Sequence, residues 1–208
     1  QLLQKALDQK NFSIDKRQLA KYTNTMHQNC YRLIRLVNNL IDVTKINAGF
    51  YELDSGEHDI VRVVEDITLS VAEYIEDKRL SILFDTSIEE QRVLCDLDAI
   101  ERIMLNLLSN AIKFTPSGGE IMVRVYTDTE GVYISVKDTG RGIPVDRLDV
   151  IFDRFTQVDD TFTRQNEGSG IGLSLVKLLV EMHGGQITVK SDYGVGSEFI
   201  FSIPTQQT

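Results

Sequence analysis

Cysteine and histidine are scarce in this chain of 208 residues, which contains two cysteines and three histidines. Cys30 and Cys95 lie far apart and form no CxxC pair, so the sequence provides neither a disulfide framework nor a cysteine metal site. The histidines are too scattered to predict a zinc site. This use of cysteine fits a reducing compartment, and we expect a cytoplasmic location.

Long apolar segments are also missing. No run approaches the roughly 18 consecutive apolar residues that a membrane-spanning helix requires, so we expect no membrane segment in this chain. The first residues, QLLQKALDQKN, lack the basic start and apolar centre of a signal peptide. Because the sequence does not begin with Met, we expect a piece of a longer protein, for which membrane anchoring stays an open alternative.

Charge is distributed unevenly along the chain. Residues 1–50 contain eight Lys or Arg residues and three acidic ones, a net charge of +5, whereas the remainder carries −14. An acidic main domain repels a phosphate backbone, so nucleic acid is disfavoured as a partner. With 42% hydrophobic and 25% charged residues, the chain has the composition of a folded globular protein.

The pattern of apolar residues predicts a helical first part and a second part of class α+β. A long helix is expected from about Lys16 to Asn47, with Gly49 as its stop. Its broad apolar stripe needs other helices around it, and a second copy of the chain is the economical way to supply them. After Tyr51, paired strands alternate with helices, which favours an α/β sandwich whose mixed sheet is covered by helices on one face.

Polar side chains interrupt the apolar pattern of the predicted helix ERIMLNLLSNAIKF. Arg102, Asn106, Asn110 and Lys113 recur every three or four residues and therefore form one stripe. A water-facing stripe is the ordinary interpretation, but Asn is a poor helix former and Glu or Lys would be more usual there. Amide oxygens suit Mg²⁺, and a lysine one turn further on suits a phosphate.

Two glycine-rich motifs follow that helix. In VKDTGRGIP, Asp138 ends a predicted strand, so a buried carboxylate there would accept from an exocyclic amine beside backbone that a flat ring can approach. In EGSGIGLSLVKLL, glycines run directly into a helix, whose first N–H groups favour an anion. A strand–turn junction and a mobile glycine loop are the simpler alternatives. The second motif is no Walker A loop, since no GK[ST] follows, and V-A-I-K, H-R-D and D-F-G are missing.

Taken in order, these motifs resemble the catalytic and ATP-binding domain of sensor histidine kinases, which belong to the wider GHKL group. LNLLSNAIKFT resembles the N box of that family, VKDTGRGIP the G1 box, IFDRFTQVD the F box and EGSGIGLSLVK the G2 box. The resemblance implies a Bergerat (GHKL) ATP-binding fold over residues 51–206. Residues 1–48 are similar to the last part of the family's dimerisation and histidine-phosphotransfer hairpin, so the expected domains are 1–48 and 51–206.

The resemblance also implies ATP and Mg²⁺ as cofactors and suggests individual roles. Asn110 would ligate Mg²⁺, and Asp138 would read the amino group of adenine. Lys113 and Arg154 would contact phosphate oxygens, while residues 156–170 would form a lid over ATP. Either Gln157 or Arg164 would contact the γ-phosphate. The residues predicted to bind ATP are Asn106, Asn110, Lys113, Phe114, Asp138, Gly140, Gly142, Ile143, Arg154, Phe155, Gly168, Gly170, Gly172 and Leu173.

The family's phosphoacceptor, a His followed by an acidic residue midway along the first hairpin helix, has no counterpart in this sequence. His27 is followed by Gln, and His58 precedes an Asp but opens the second predicted domain. His183 is interpreted as an ordinary helix end. We therefore expect the acceptor His upstream of residue 1 and no catalytic residue in this chain, which would be unable to phosphorylate itself.

The resemblance implies a protein-histidine kinase that transfers the γ-phosphoryl of ATP to a His, for relay to an Asp of a response-regulator receiver domain. The intact protein would form a homodimer through its helical hairpin. A GHKL-type ATPase is one alternative, but those proteins carry a Glu four residues before the Mg²⁺-binding Asn, where this chain has Asn106. A scaffold module with a vestigial nucleotide pocket is another, and the intact N, G1 and G2 boxes count against it.

Overall fold

The structure, a computed structural model, describes residues 16–129, 131–154, 156 and 170–205. It divides into two compact units, Gln1–Asn38 and Asn39–Thr208. The helices in the described part are α1 (Lys16–Asn47), α2 (Ile60–Ser70), α3 (Ala72–Asp77), α4 (Leu97–Phe114) and α5 (Gly172–Met182), with a 3-10 helix at Val145–Arg147. The strands are β1 (Gly56–Asp59), β2 (Ser81–Thr86), β3 (Arg92–Cys95), β4 (Glu120–Thr127), β5 (Gly131–Asp138), β6 (Ile187–Asp192) and β7 (Gly196–Pro204).

Helix α1 occupies the predicted range from Lys16, the first residue that the structure describes, to Asn47, and it starts in the first unit. The apolar side chains described there are about half exposed or more: Leu19, Met26, Leu33, Ile34 and Val37. The helix ends at Asn47, and Gly49 follows with a positive φ of 71°. That left-handed conformation suits glycine and ends helices, so the predicted stop is confirmed. None of the helices in the described residues is both long and apolar enough to cross a membrane.

The second unit is built on a five-stranded sheet of order β2-β4-β5-β7-β6. β2 pairs with β4 in parallel, and the other three pairings are antiparallel. The parallel pair exists because α4 connects the two strands, whereas short turns join β4 to β5 and β6 to β7. β1 and β3 form a separate two-stranded sheet. The predicted mixed sheet of an α+β fold is thus confirmed.

The core lies between one face of the sheet and the helices. Alternate residues of β4 and β7 are buried, as a sheet covered on one face requires, whereas the central strand β5 is buried at most of its positions. Across three neighbouring strands, Val123 of β4 pairs with Val136 of β5, which in turn pairs with Phe199 of β7. Helices α2, α4 and α5 supply the opposite half of the core with buried Val64, Leu107 and other apolar side chains. This packing fixes α4 and α5 on the sheet.

Asp96 and His183 join the start of α4 to the end of α5. The Asp96 side chain accepts hydrogen bonds from the backbone N–H groups of Ala99 (3.0 Å) and Asp54 (2.9 Å). Its own N–H donates to His183 Nε2 (3.1 Å), while His183 Nδ1 lies 2.7 Å from the Leu179 carbonyl oxygen. A carbonyl can only accept, so His183 is neutral with its proton on Nδ1. His183 is the C-cap of α5, as predicted, and it also forms a buried link between two helices.

Candidate nucleotide-binding site

The N, G1 and G2 boxes are separate in sequence, and they meet at the end of the sheet where the central strand β5 finishes. A Cβ added to Gly140, after β5, would lie 2.5 Å from the Phe114 carbonyl oxygen at the end of α4. The Arg141 N–H donates to the same oxygen at 3.2 Å. A Cβ added to Gly172, at the start of α5, would lie 2.9 Å from Asn106 Oδ1. Gly140 is needed because backbone atoms occupy the space of a Cβ, whereas a Cβ at Gly172 would require the Asn106 side chain to move.

Asp138 is the last residue of β5, on the helix-covered face of the sheet. Its carboxylate accepts a hydrogen bond from the Gly140 N–H at 2.8 Å and another from the Ser197 N–H of β7. Burial raises the pKa of Asp138, although both hydrogen bonds act in the opposite direction. A fixed, nearly buried carboxylate at a strand end has the chemistry to accept from the amino group of a ligand.

The G1 loop, residues 138–143, packs backbone against backbone on the turn between β6 and β7. A Cβ at Gly142, whose φ is 68°, would lie 2.2 Å from the Asp192 carbonyl oxygen. The Gly194 N–H donates to the Arg141 carbonyl at 2.7 Å, and the Ile143 N–H donates to Ser191 Oγ at 2.8 Å. The turn therefore holds the loop that follows Asp138.

The polar stripe of α4 faces several different partners. Asn106 donates from Nδ2 to the Arg102 carbonyl at 2.8 Å, and its oxygen faces Gly172 of α5. Asn110 follows one turn later and is half-buried. The Lys113 Nζ lies 4.5 Å from the centre of the Phe114 ring, and the Arg141 guanidinium lies 4.6 Å from it. Two cations on one ring make this end of α4 electropositive.

Asn110 is the one residue predicted to ligate a metal, and its chemistry fits Mg²⁺ held mainly by phosphates. The described residues contain no group of three or more His, Cys, Asp or Glu side chains that could hold a metal ion. Mg²⁺ usually keeps several waters and binds through one or two protein oxygens together with substrate phosphates. A single neutral amide oxygen is compatible with that arrangement and insufficient for a nucleotide-free site.

Three further residues of the predicted set are described, and they belong to the G1 and G2 boxes. Ile143 and Leu173 are partly buried against the core. Gly170 precedes α5 with a φ of 67°, and no side chain in the described part of the chain caps the first turn of that helix. Phe155 and Gly168, and with them Gln157 and Arg164, lie outside the described residues. For those four residues the expectations stay predictions.

Two side chains of α1 that belong to the second unit contact arginines considered in the sequence analysis. Asp42 forms an ion pair with Arg102 of the α4 stripe. Asn47 accepts a hydrogen bond from the guanidinium of Arg154, a residue predicted to contact phosphate. No pattern in the sequence predicts either contact, because each joins positions that are distant along the chain. The end of α1 is thereby connected to the candidate site.

The Arg102–Asp42 pair predicts an asymmetry in stability. The Asp42 side chain is 13% exposed and that of Arg102 is 42% exposed. In Arg102→Ala the nearly buried carboxylate loses its partner, which should lower the free energy of unfolding by about 1–3 kcal/mol. In Asp42→Ala the arginine can turn to water, and a loss of about 0–1 kcal/mol is expected. Urea denaturation of both variants measures the difference, and equal losses would contradict the pairing.

Comparison with known proteins gives the same assignment as the geometry. The family model described as "Histidine kinase-, DNA gyrase B-, and HSP90-like ATPase" matches residues 95–207, more than half of the chain. The chain is 32% identical over 185 residues to a sensor-like histidine kinase of Rhizobium meliloti (strain 1021), covering 89% of this chain and 35% of that protein. It is 34% identical over 205 residues to hybrid signal transduction histidine kinase D of Dictyostelium discoideum, covering 96% of this chain and 13% of that protein.

A solved structure is also similar over nearly the whole chain. Full-length ShkA in complex with AMPPNP superposes with a TM-score of 0.78 at 27% identity, covering 94% of this chain and 40% of ShkA. The chain thus spans about a third or less of the length of the two curated relatives. The resemblance to sensor histidine kinases and the predicted ATP-binding fold are confirmed. On its fold, its motifs and these matches, the chain belongs to the family of histidine kinase-, DNA gyrase B- and HSP90-like ATPases.

Proposed function

We propose that this chain is the ATP-binding catalytic part of a sensor histidine kinase. The observation that carries the proposal is Asp138, a buried carboxylate held by two backbone N–H groups beside the N and G2 boxes. Relatives named as histidine kinases, and the similar structure of ShkA in complex with AMPPNP, support the same assignment. In this site Asp138 accepts from the adenine amino group, and Gly140 and Gly142 let the ring approach the backbone.

The phosphates occupy the region between α4 and the start of α5. Lys113 and Arg154 neutralise their charge, and the N–H groups of the first turn of α5 favour an anion. Asn110 supplies an amide oxygen to Mg²⁺, which reduces the charge on the phosphates when it is bound. These side chains explain how an acidic domain holds a polyanion.

In the reaction, this domain positions the γ-phosphoryl and compensates its charge, which is the main protein contribution to phosphoryl transfer. The nucleophile is a His of the helical hairpin, upstream of the residues present. The phosphoryl group then passes to an Asp of a response-regulator receiver domain. The intact protein acts as a cytoplasmic homodimer whose hairpins pair. This chain alone lacks the acceptor and binds nucleotide without phosphorylating itself.

The surroundings of Asn106 count against the ATPase alternative. Its amide nitrogen donates to the Arg102 carbonyl, and its oxygen faces Gly172. A neutral amide in this position cannot take a proton from an attacking water as a glutamate does. The site is therefore arranged to hold ATP for an external nucleophile.

Calorimetric titration tests the proposal by measuring how the affinity for AMPPNP depends on Mg²⁺. Mg²⁺ alone should give no binding signal at millimolar concentration, because a single neutral amide oxygen cannot replace its water shell. AMPPNP should bind, and more tightly with Mg²⁺ than without it. Asn110→Ala should abolish that gain, roughly a ten-fold effect if one ion-bound contact of about 1.4 kcal/mol is lost.

Ser109→Ala is the matched control, since it removes a polar group from the same turn of α4 and should retain the Mg²⁺ gain. Failure of AMPPNP to bind at millimolar concentration would refute the proposal and favour the scaffold alternative. Steady release of inorganic phosphate from ATP would instead favour the ATPase alternative. Tight Mg²⁺ binding without nucleotide would show that the metal has other ligands.

A further inference from the structure

We propose that Ser191 of β6 is a positioning residue that holds Asp138 in the geometry needed to recognise an adenine amino group. This inference rests on the proposed function and assigns a role to a hydroxyl that lies outside the four boxes. Ser191 is partly buried, and its hydroxyl contacts both the G1 loop and strand β7.

Three hydrogen bonds converge on the Ser191 hydroxyl. It receives the Ile143 N–H at 2.8 Å, lies 2.8 Å from the Gly196 carbonyl oxygen, and lies 3.0 Å from Ser197 Oγ. Ile143 closes the G1 loop, whereas Gly196 and Ser197 begin β7. One side chain therefore connects the far end of the loop to the strand beside it.

The directions of these bonds follow from the chemistry of each partner. The Ile143 N–H can only donate, and the Gly196 carbonyl can only accept, so the single Ser191 proton points to Gly196. Ser197 must then donate its own hydroxyl proton to Ser191. With one bond donated and two accepted, Ser191 has no capacity left. Such a saturated, partly buried hydroxyl has one favoured position.

This position determines where Asp138 is held. The carboxylate accepts from Gly140 in the G1 loop and from the Ser197 N–H of β7. Ser191 joins the same two elements, through Ile143 on one side and Gly196 and Ser197 on the other. Without the Ser191 hydroxyl the loop keeps its contacts with the β6–β7 turn but loses this connection to β7, so the two donors hold the carboxylate less firmly in one place.

The measurable result is a loss of discrimination for the amino group of adenine. Wild-type protein should bind ATP more tightly than purine riboside 5′-triphosphate, which differs only in lacking the amino group. Ser191→Ala should weaken ATP binding about ten-fold, the effect of one hydrogen bond to a charged group. Binding of the purine analogue, which makes no such bond, should change much less.

A double-mutant cycle with Asp138→Asn separates positioning from general destabilisation. If Ser191 acts through Asp138, then adding Ser191→Ala to Asp138→Asn should cause little further loss of ATP affinity. Ser191→Thr keeps the hydroxyl and should restore discrimination. Ser202→Ala is the matched control, because Ser202 Oγ accepts from the Gln186 N–H at 3.1 Å, away from the G1 loop. Unfolding temperatures of all variants provide the readout for folding.

The outcomes distinguish this inference from the proposed function. The positioning role predicts that Ser191→Ala lowers the ratio of the affinity for ATP to the affinity for the purine analogue. Ser191→Thr should restore the wild-type ratio, and Ser202→Ala should leave it unchanged. Unchanged discrimination in Ser191→Ala, or equal losses for the two nucleotides, would overturn it and leave the proposed function standing. Wild-type protein that binds neither nucleotide would overturn both.

Discussion

Asp138→Asn should weaken ATP binding by roughly 10- to 150-fold, because a hydrogen bond to a charged group contributes about 1.5–3 kcal/mol. The amide has one acceptor oxygen where the carboxylate has two, and the carboxylate already receives two backbone N–H groups. The remaining oxygen cannot serve the ligand as well. Calorimetry with ATP measures this loss, and purine riboside 5′-triphosphate should bind wild type and variant alike.

The unfolding temperature of Asp138→Asn shows whether its loss of ATP binding comes from the site or from unfolding of the chain. Since burial raises the pKa of Asp138, the folded chain binds this proton more tightly than the unfolded chain. The free energy of unfolding therefore falls as the pH rises from the pKa of Asp138 in the unfolded chain to its higher pKa in the folded chain. At neutral pH the charged carboxylate lowers the stability of the folded chain. Removing that charge should leave the unfolding temperature within a few degrees of wild type. A variant that lost ATP binding only by unfolding would contradict this account.

Gly142→Ala should destabilise the domain and abolish nucleotide binding. The added Cβ would meet backbone atoms only, 2.2 Å from the Asp192 carbonyl oxygen and 3.0 Å from the Tyr193 Cα. The left-handed φ of 68° adds about 1–2 kcal/mol of strain, and forcing the two backbones apart adds about 1–3 kcal/mol. Urea denaturation should show the combined loss, which is large against a typical stability of about 5–15 kcal/mol.

Gly49→Ala is the control for that experiment. Gly49 has almost the same φ, 71°, but no atom lies within 4 Å of its added Cβ. Gly49→Ala should therefore show the backbone strain without the steric conflict, so its free energy of unfolding should fall by about 1–2 kcal/mol. It should retain AMPPNP binding. Equal destabilisation of the two variants would mean that the G1 loop does not pack closely on the β6–β7 turn in solution.

Features set by local sequence could be predicted well. The apolar stripe indicated the extent of α1 and Gly49 its C-terminal end, since period and a left-handed stop are properties of neighbouring residues. The order of the glycine motifs, together with the stripe on α4, indicated the family and therefore the sheet. The position of Asp138 at the end of β5 was predictable, because it completes a strand-like run and precedes two glycines.

Features set by distant pairing could not be predicted in this way. The short strand β3 is not predictable from its four residues, because it is ordered by pairing with β1 and by the burial of Val93 and Cys95 in the core. The link from His183 to Asp96 and the pair of Asp42 with Arg102 each join different elements. Ser191 looks like an ordinary strand serine until its three partners are known. Tertiary contacts, rather than local propensity, decide the roles of these side chains.

The pairing of β5 with β7 has a consequence for biosynthesis. Asp138 finishes its strand early, but one of its two backbone donors, Ser197, belongs to the last strand in the described part of the chain. If Asp138 binds adenine as proposed, a nascent chain cannot complete that site until β7 has left the ribosome and docked. A ligand stabilises only states that bind it, so cellular ATP would act on the finished sheet and provide no help to earlier folding intermediates.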